Sequence, residues 1–179
     1  MIEITSPLTD DVIAGLKVGQ KVQLSGTIYT ARDAAHERIY NSMKNNKDCG
    51  FDVTGKTIYY AGPCPAKPGF PIGPIGPTTS GRMDAYTPYL LDNGLKVMIG
   101  KGIRSIEVKE AVKRNRAIYF AAVGGAAVVY MNCVKSAEIF VFDDLGAEAI
   151  RKLEVEKMPL IVGLDIYGGD IYGGDIHTQ

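Results

Sequence analysis

LKVMIGKGIRSIEVKEAVKRNRAIYFAAVGG, residues 95–125, reads as strand, helix, strand. Residues 95–99 are an apolar run closed by Gly100-Lys101-Gly102, and 117–123 are a second run closed by Gly124-Gly125. Between them, 105–115 space their apolar residues for one face of a helix. Strands that are apolar throughout are buried on both faces, as in parallel sheets covered by helices. The unit is therefore βαβ, and the fold class is α/β. Downstream, the same rhythm predicts a buried helix over 126–134 and a strand over 138–142. A short helix over 146–154 and a last strand over 159–165 follow.

Upstream the pattern changes. KVQLSGTIYT (21–30) alternates, with Val22, Leu24 and Ile28 on one side, which predicts a half-buried strand of the antiparallel kind with a bulge at Gly26. Before it lie a short β start at 2–5 and a short helix capped near Thr9. After it, 31–46 favour a helix, with Asp33 in its first turn and Arg32 and His36 on one face. TIYYA (57–61) is a candidate buried strand, and 82–91 predict a helix stopped by Asn93-Gly94. The expected architecture is an antiparallel opening section and a largely parallel closing section.

Between those elements runs GPCPAKPGFPIGPIGPTTSGRMD (62–84), which holds six of the nine prolines. Such a tract is neither helix nor strand. It ends in three hydroxyls, Thr78, Thr79 and Ser80, followed by Arg82 and Asp84. A rigid loop that delivers polar side chains to one place is what a binding site requires. GPTTSGR (76–82) nearly matches the phosphate loop GxxxxGK[ST], but Arg82 replaces its lysine and Met83 its magnesium-binding hydroxyl, which excludes a nucleotide triphosphatase. Thr79 or Ser80 could instead cap the following helix.

The 179 residues fit one domain, and the 20 basic and 20 acidic residues cancel. Zero net charge argues against a nucleic-acid binder or a polybasic membrane protein. No apolar run approaches the length of a membrane span, and MIEITSPLTDD has no signal-peptide character, so a cytoplasmic location is expected. Cys49, Cys64 and Cys133 are widely spaced and form no CxxC pattern, which predicts reduced, mostly packed thiols and no metal site of the chain's own.

Arg32, Arg82 and Lys101 are cations at element ends, and bidentate arginine suits carboxylate, so the spacing points to a small dianion. Each has an ordinary alternative. Lys101 could be a turn lysine, Arg32 could pair with Asp33 or Glu37, and His36 could be a satisfied helix histidine. Gly124-Gly125 could serve packing. The tandem IYGGDIYGGD (166–175) is too short for a solenoid and reads as a solvated or frayed end.

TARDAAHER (30–38), IYYAGPCPAKPG (58–69), GPIGPTTSGRMDAYTPYLLDNG (73–94) and MIGKG (98–102) together resemble the β subunit, or C-terminal half, of the iron–sulfur class I fumarases and the related L-tartrate dehydratases. The resemblance covers roughly residues 2–166, leaving 167–179 as a Gly-rich tail. It implies a swivelling β/β/α domain in a hydro-lyase that hydrates fumarate to L-malate or dehydrates L-tartrate. It implies a [4Fe–4S] cluster held by an α subunit as a hetero-oligomeric partner, none bound by this chain, and no activity for the chain alone. Arg32, Arg82 and Lys101 then look like binders of the substrate carboxylates, Thr78 like the base, and Asp33 and His36 like supporting residues. A non-catalytic binding or assembly module of the same fold is the alternative from a different class.

Overall fold

The strand–helix–strand unit expected at the centre of the sequence is β4 (Val97–Gly100), α4 (Ile106–Arg114) and β5 (Ile118–Ala121) in a computed structural model that describes residues 1–173. Every residue of both strands is buried. Ser105 caps α4 by accepting a hydrogen bond from the Val108 N–H. The remaining elements are β1 (Ile2–Ser6), α1 (Asp10–Gly15), β2 (Lys21–Thr30), α2 (Asp33–Lys44), β3 (Thr57–Tyr59), α3 (Thr87–Asp92), α5 (Ala127–Cys133), β6 (Val134–Val141) and β7 (Ile150–Leu164). Turns of 3₁₀ helix lie at Ser80–Met83 and Asp143–Glu148.

The fold is α/β with one mixed sheet. β1, β2, β3, β4 and β5 pair in parallel in that order, and β7 pairs antiparallel with β5, β6 and β2. Because β7 joins β5 on one side and β2 on the other, the pairings β2–β3–β4–β5–β7–β2 close on themselves. All five ring strands contribute to one core, with Ile28, Tyr59, Ile99, Phe120 and Val155 among its members. The alternate residues Ile58, Tyr60, Met98 and Tyr119 point the other way, into a second core with α2, α3 and α4.

This arrangement corrects the expected order of sections. β2 does run antiparallel to β7, as its alternation implied, with a register shift at Gly26. Its partner β1 is parallel, however, and the antiparallel part of the sheet comes from β6 and β7 at the end of the chain. Three helix expectations are also corrected. Residues 82–91 are not one helix: a 3₁₀ turn precedes α3, which starts with Pro88 in its first turn, where proline fits best. The 126–134 helix is present as α5, but it buries only Tyr130 and exposes Val128 and Val129. The 146–154 helix is absent, because 150–164 is one long strand.

The tail is not frayed where it is described. Asp165 accepts hydrogen bonds from the N–H groups of Tyr167 and Gly169, and Asp170 from that of Tyr172. The repeat therefore has the phase Asp-Ile-Tyr-Gly, with each aspartate closing a turn. The Tyr167 hydroxyl donates to Ala14 O at 2.7 Å. Residues 174–179, which include the end of the second copy, lie outside the described residues.

Candidate active site

Parallel strands end on one side of a sheet, and ligand groups in α/β folds gather beyond their carboxyl ends. Here β2 leads into Arg32 and Asp33, β3 into Tyr60 and Gly62, β4 into Lys101, and β5 into Gly124. The proline loop returns to that edge. Thr78 N–H donates to Tyr60 O at 2.6 Å, Thr79 bridges in parallel to Lys101, and Ser80 N–H donates to Lys101 O at 2.8 Å. The loop thus extends the sheet by one short bridge beyond β4.

The three hydroxyls separate in role, and neither Thr79 nor Ser80 caps a helix. The 3₁₀ turn after Thr79 has no side-chain cap, and buried Ser80 Oγ lies 2.8 Å from the Tyr119 hydroxyl, which also donates to Gly102 O. Ser80 can sit there only because residue 100 is glycine, since a Cβ at that position would fall 2.0 Å from Ser80 Oγ. Thr78 and Thr79 remain for a ligand.

The cations are held differently from one another. Arg32 precedes α2, and its guanidinium passes over Gly62, where a Cβ would lie 2.8 Å from Nη1. Its Nε is buried without a hydrogen bond among the described residues and lies 4.0 Å from Glu148 Oε1; Asp33 and Glu37, the partners considered from the sequence, are not used. Arg82 is exposed, and Asp33 holds it bidentately through Nε and Nη2. An arginine fork carries five donors, so Nη1 remains for another anion. Lys101 lies with Nζ beside Gly124, at 3.8 Å from a Cβ placed there, and makes no ion pair among the described residues.

His36 is fully buried one turn into α2. Its Nδ1 lies 2.8 Å from Arg32 O, its ring meets Tyr60 edge-on, and its Nε2 has no partner among the described residues. Burial drives its pKa down to about 4, and the Arg104 charge adds to the effect, while the Arg32 carbonyl opposes it. The imidazole is therefore neutral at pH 7 and braces the peptide that launches Arg32.

Sequence reading missed Arg104. Its side chain has 0% exposure, donates from Nε to Asp84 Oδ1 at 2.7 Å and from Nη2 to Thr87 Oγ1 at 3.0 Å, and stacks near Tyr60 and Tyr119. Asp84 also accepts from Ser105 N–H. The end of the proline loop is thereby tied to the start of α4 from beneath. Burial works against the Arg104 charge, but Tyr60 and Asp84 outweigh it and its pKa is raised. A lone arginine in a loop carries no sequence signal of burial; the acidic Asp84 at the loop's end was the available clue.

No three His, Cys, Asp or Glu side chains among the described residues converge in a metal-binding group. Cys64 is exposed, against the expectation of packing, while Cys49 and Cys133 are half-buried. A cavity of about 390 Å³ beside the proline loop, lined by Pro63, Cys64, Ile72, Ile139 and Arg151 among others, contains none of the site cations. The convergence of cations and hydroxyls, rather than cavity size, marks the site. No helix among the described residues is long and apolar enough to cross a membrane.

The chain is similar to known proteins over most of its length. The chain is 36% identical over 183 aligned positions to the aerobic class I fumarate hydratase of Escherichia coli K12, covering 99% of the chain and 33% of that protein. It is 38% identical to fumarate hydratase 2 of Leishmania major, over 84% of the chain and 27% of that protein. It therefore spans about a third of these fumarate hydratases. It is also 39% identical to a Methanocaldococcus jannaschii protein named as an L(+)-tartrate dehydratase subunit beta, over 90% of the chain and 86% of that protein. The family profile described as Fumarase C-terminus matches residues 1–174, and the chain belongs to that family.

Proposed function

We propose that this chain is the β-type part of a cytoplasmic hydro-lyase that reversibly hydrates fumarate to L-malate, working with an α subunit that carries a [4Fe–4S] cluster. The observation that carries the reading is the gathering of Arg32, Arg82, Lys101 and Thr78 at the carboxyl ends of β2, β3 and β4, in a chain of zero net charge. A four-carbon dicarboxylate presents two anionic ends, and these cations sit at different points of one edge. Arg82, steered by Asp33, offers its remaining Nη1 to one carboxylate, while Lys101 supplies a point charge.

In the direction of dehydration, a proton leaves C3 of malate and a hydroxide leaves C2. Charge released at C3 spreads into the adjoining carboxylate, so fixed cations there favour the transition state over the ground state. Thr78 is the group that this reading assigns to receive the C3 proton. A threonine hydroxyl does so only when coupled to a stronger base, which the partner subunit contributes. When bound by that partner, the cluster supplies a Lewis acid for the leaving hydroxyl.

The open face fits a docked partner. Ile103, Ile106, Val123, Val128 and Val129 are exposed apolar residues next to Lys101 and Gly124 in the chain. Exposed apolar residues gathered in one stretch of chain fit an interface. We read the fold as a swivelling β/β/α domain spanning residues 1–166, which carries this edge onto the partner. Dehydration of L-tartrate is the second reading, supported by the similarity to a β subunit of nearly equal length.

Mixing the chain anaerobically with its cluster-bearing partner and following fumarate absorbance tests the proposal. Hydration by the mixture and none by the chain alone is expected, and Arg82→Met or Lys101→Met should each lower kcat/KM by about 100-fold or more. No turnover of fumarate or tartrate by the mixture would sink the reading.

A further inference from the structure

Gly102, which follows Lys101, has both backbone polar groups held by tyrosines. Its carbonyl accepts from the Tyr119 hydroxyl at 3.0 Å, and its N–H donates to the Tyr172 hydroxyl at 3.2 Å. Tyr119 comes from β5, within the ring. Tyr172 comes from the tail, in the second of the two aspartate-closed turns. That turn is fastened to the body by several contacts. Ile171 N–H donates to Gly163 O, Asp170 bridges to Leu164, and Asp170 Oδ2 lies 2.5 Å from Lys109 Nζ on α4.

The two copies of the repeat do different things. The first places the Tyr167 hydroxyl on Ala14 O and its ring under Lys17 Nζ, at the α1 side of the molecule. The second reaches the turn that carries Lys101. We propose that the second copy is a latch and that Tyr172 is a positioning residue for the Lys101 ammonium. Lys101 has no ion-pair partner of its own among the described residues, and it sits beside Gly124, where no side chain restrains it. Its placement therefore depends on the Gly100–Gly102 backbone. The β4 side of this glycine-flanked turn is held by Ala122 N–H on Gly100 O and Ser80 N–H on Lys101 O, and the two tyrosine hydroxyls on Gly102 restrain its other side. The functional part of this inference rests on Lys101 binding a substrate carboxylate.

The test compares Tyr172→Phe, which removes only the hydroxyl, with Tyr167→Phe, which removes the equivalent group of the first copy. A chain ending at Gly169 serves as a second latch-free variant. In the chain alone, amide hydrogen exchange at Gly102 should quicken by about tenfold in Tyr172→Phe and in the shortened chain, while the β4 and β5 amides and the Tyr167→Phe protein stay as in the wild type. In the reconstituted enzyme, Tyr172→Phe should raise KM for the dicarboxylate several-fold with a smaller change in kcat. Unchanged Gly102 exchange overturns the latch. Faster exchange with unchanged KM and kcat in an active enzyme overturns the positioning role. Faster Gly102 exchange in a protein that turns over neither fumarate nor tartrate with its partner supports the latch and sinks the proposed function instead.

Discussion

Asp33 grips Arg82 through two hydrogen bonds, Oδ1 to Nε at 3.0 Å and Oδ2 to Nη2 at 2.6 Å. The pair joins the first turn of α2 to the proline loop at the mouth of the site. Both side chains are substantially exposed, so the pair contributes little to stability, about 0–1 kcal/mol. Its consequence is orientation, because it occupies the Nε–Nη2 edge of the guanidinium and leaves Nη1 open.

Asp33→Asn should therefore leave the urea midpoint nearly unchanged while lowering kcat/KM of the reconstituted enzyme by roughly 10- to 100-fold, as misplacing a charged contact does. Parallel unfolding and steady-state assays check this. A drop in stability with unaltered kinetics would assign the pair to the fold alone.

The buried His36 makes stability depend on pH. Its folded pKa of about 4 lies below its ordinary value of 6.5, so between those values the unfolded chain binds a proton that the folded chain refuses. Stability then rises with pH across that window and falls on acidification, by a total on the order of 3 kcal/mol. Urea titrations at pH 7, 5.5 and 4 should show the decline, and His36→Gln should flatten it. An equal slope in the variant would place the acid sensitivity elsewhere.

Arg104 and Asp84 form a buried pair, and removing one member leaves the other uncompensated. Arg104→Leu should cost about 3–5 kcal/mol, measured by denaturant unfolding. The double variant with Asp84→Leu should lose less than the two single variants summed. Additive losses would show that the two side chains act independently.

Gly62 leaves the slot through which Arg32 passes. In Gly62→Ala the new Cβ would meet Arg32 Nη1 at 2.8 Å and the Ala147 carbonyl at 2.9 Å. The arginine tip can move and the carbonyl cannot, so Arg32 should be displaced. A stability loss of about 1–3 kcal/mol is expected, together with a raised KM for the dicarboxylate in the reconstituted enzyme. An unchanged KM would remove Arg32 from the substrate site.

The parts of the fold that were legible in the sequence were those where one physical cause dominates. The β4–α4–β5 unit is written in two apolar runs, an amphipathic stretch and three glycine stops. β7 was misread because its burial does not alternate simply. Ile150 and Leu153 are buried three apart, and the register with β6 slips twice, which imitates a helix at 146–154. Strand direction was also hidden, since β1 and β2 carry no mark of the parallel pairing that only the three-dimensional ring imposes. In the candidate site, Arg32, Arg82, Lys101 and Thr78 were visible because they stand at element ends, the last three among glycines and prolines. Arg104 and Tyr172 were not, because their significance lies in partners far away in the chain. The tail's phase was invisible for a similar reason: a repeat of Tyr-Gly-Gly-Asp reads equally well from any residue until hydrogen bonds show that aspartate comes first.

The closed ring has a kinetic implication. Its last seam joins Lys21 to Ile161 and Tyr29 to Lys152, partners separated by most of the chain. Closing so long a loop must precede the contacts that reward it, and chains rich in such pairings fold slowly. During synthesis, β2 would wait with one edge bare until β7 emerges from the ribosome. The interval before that closure is when this protein is most exposed to aggregation.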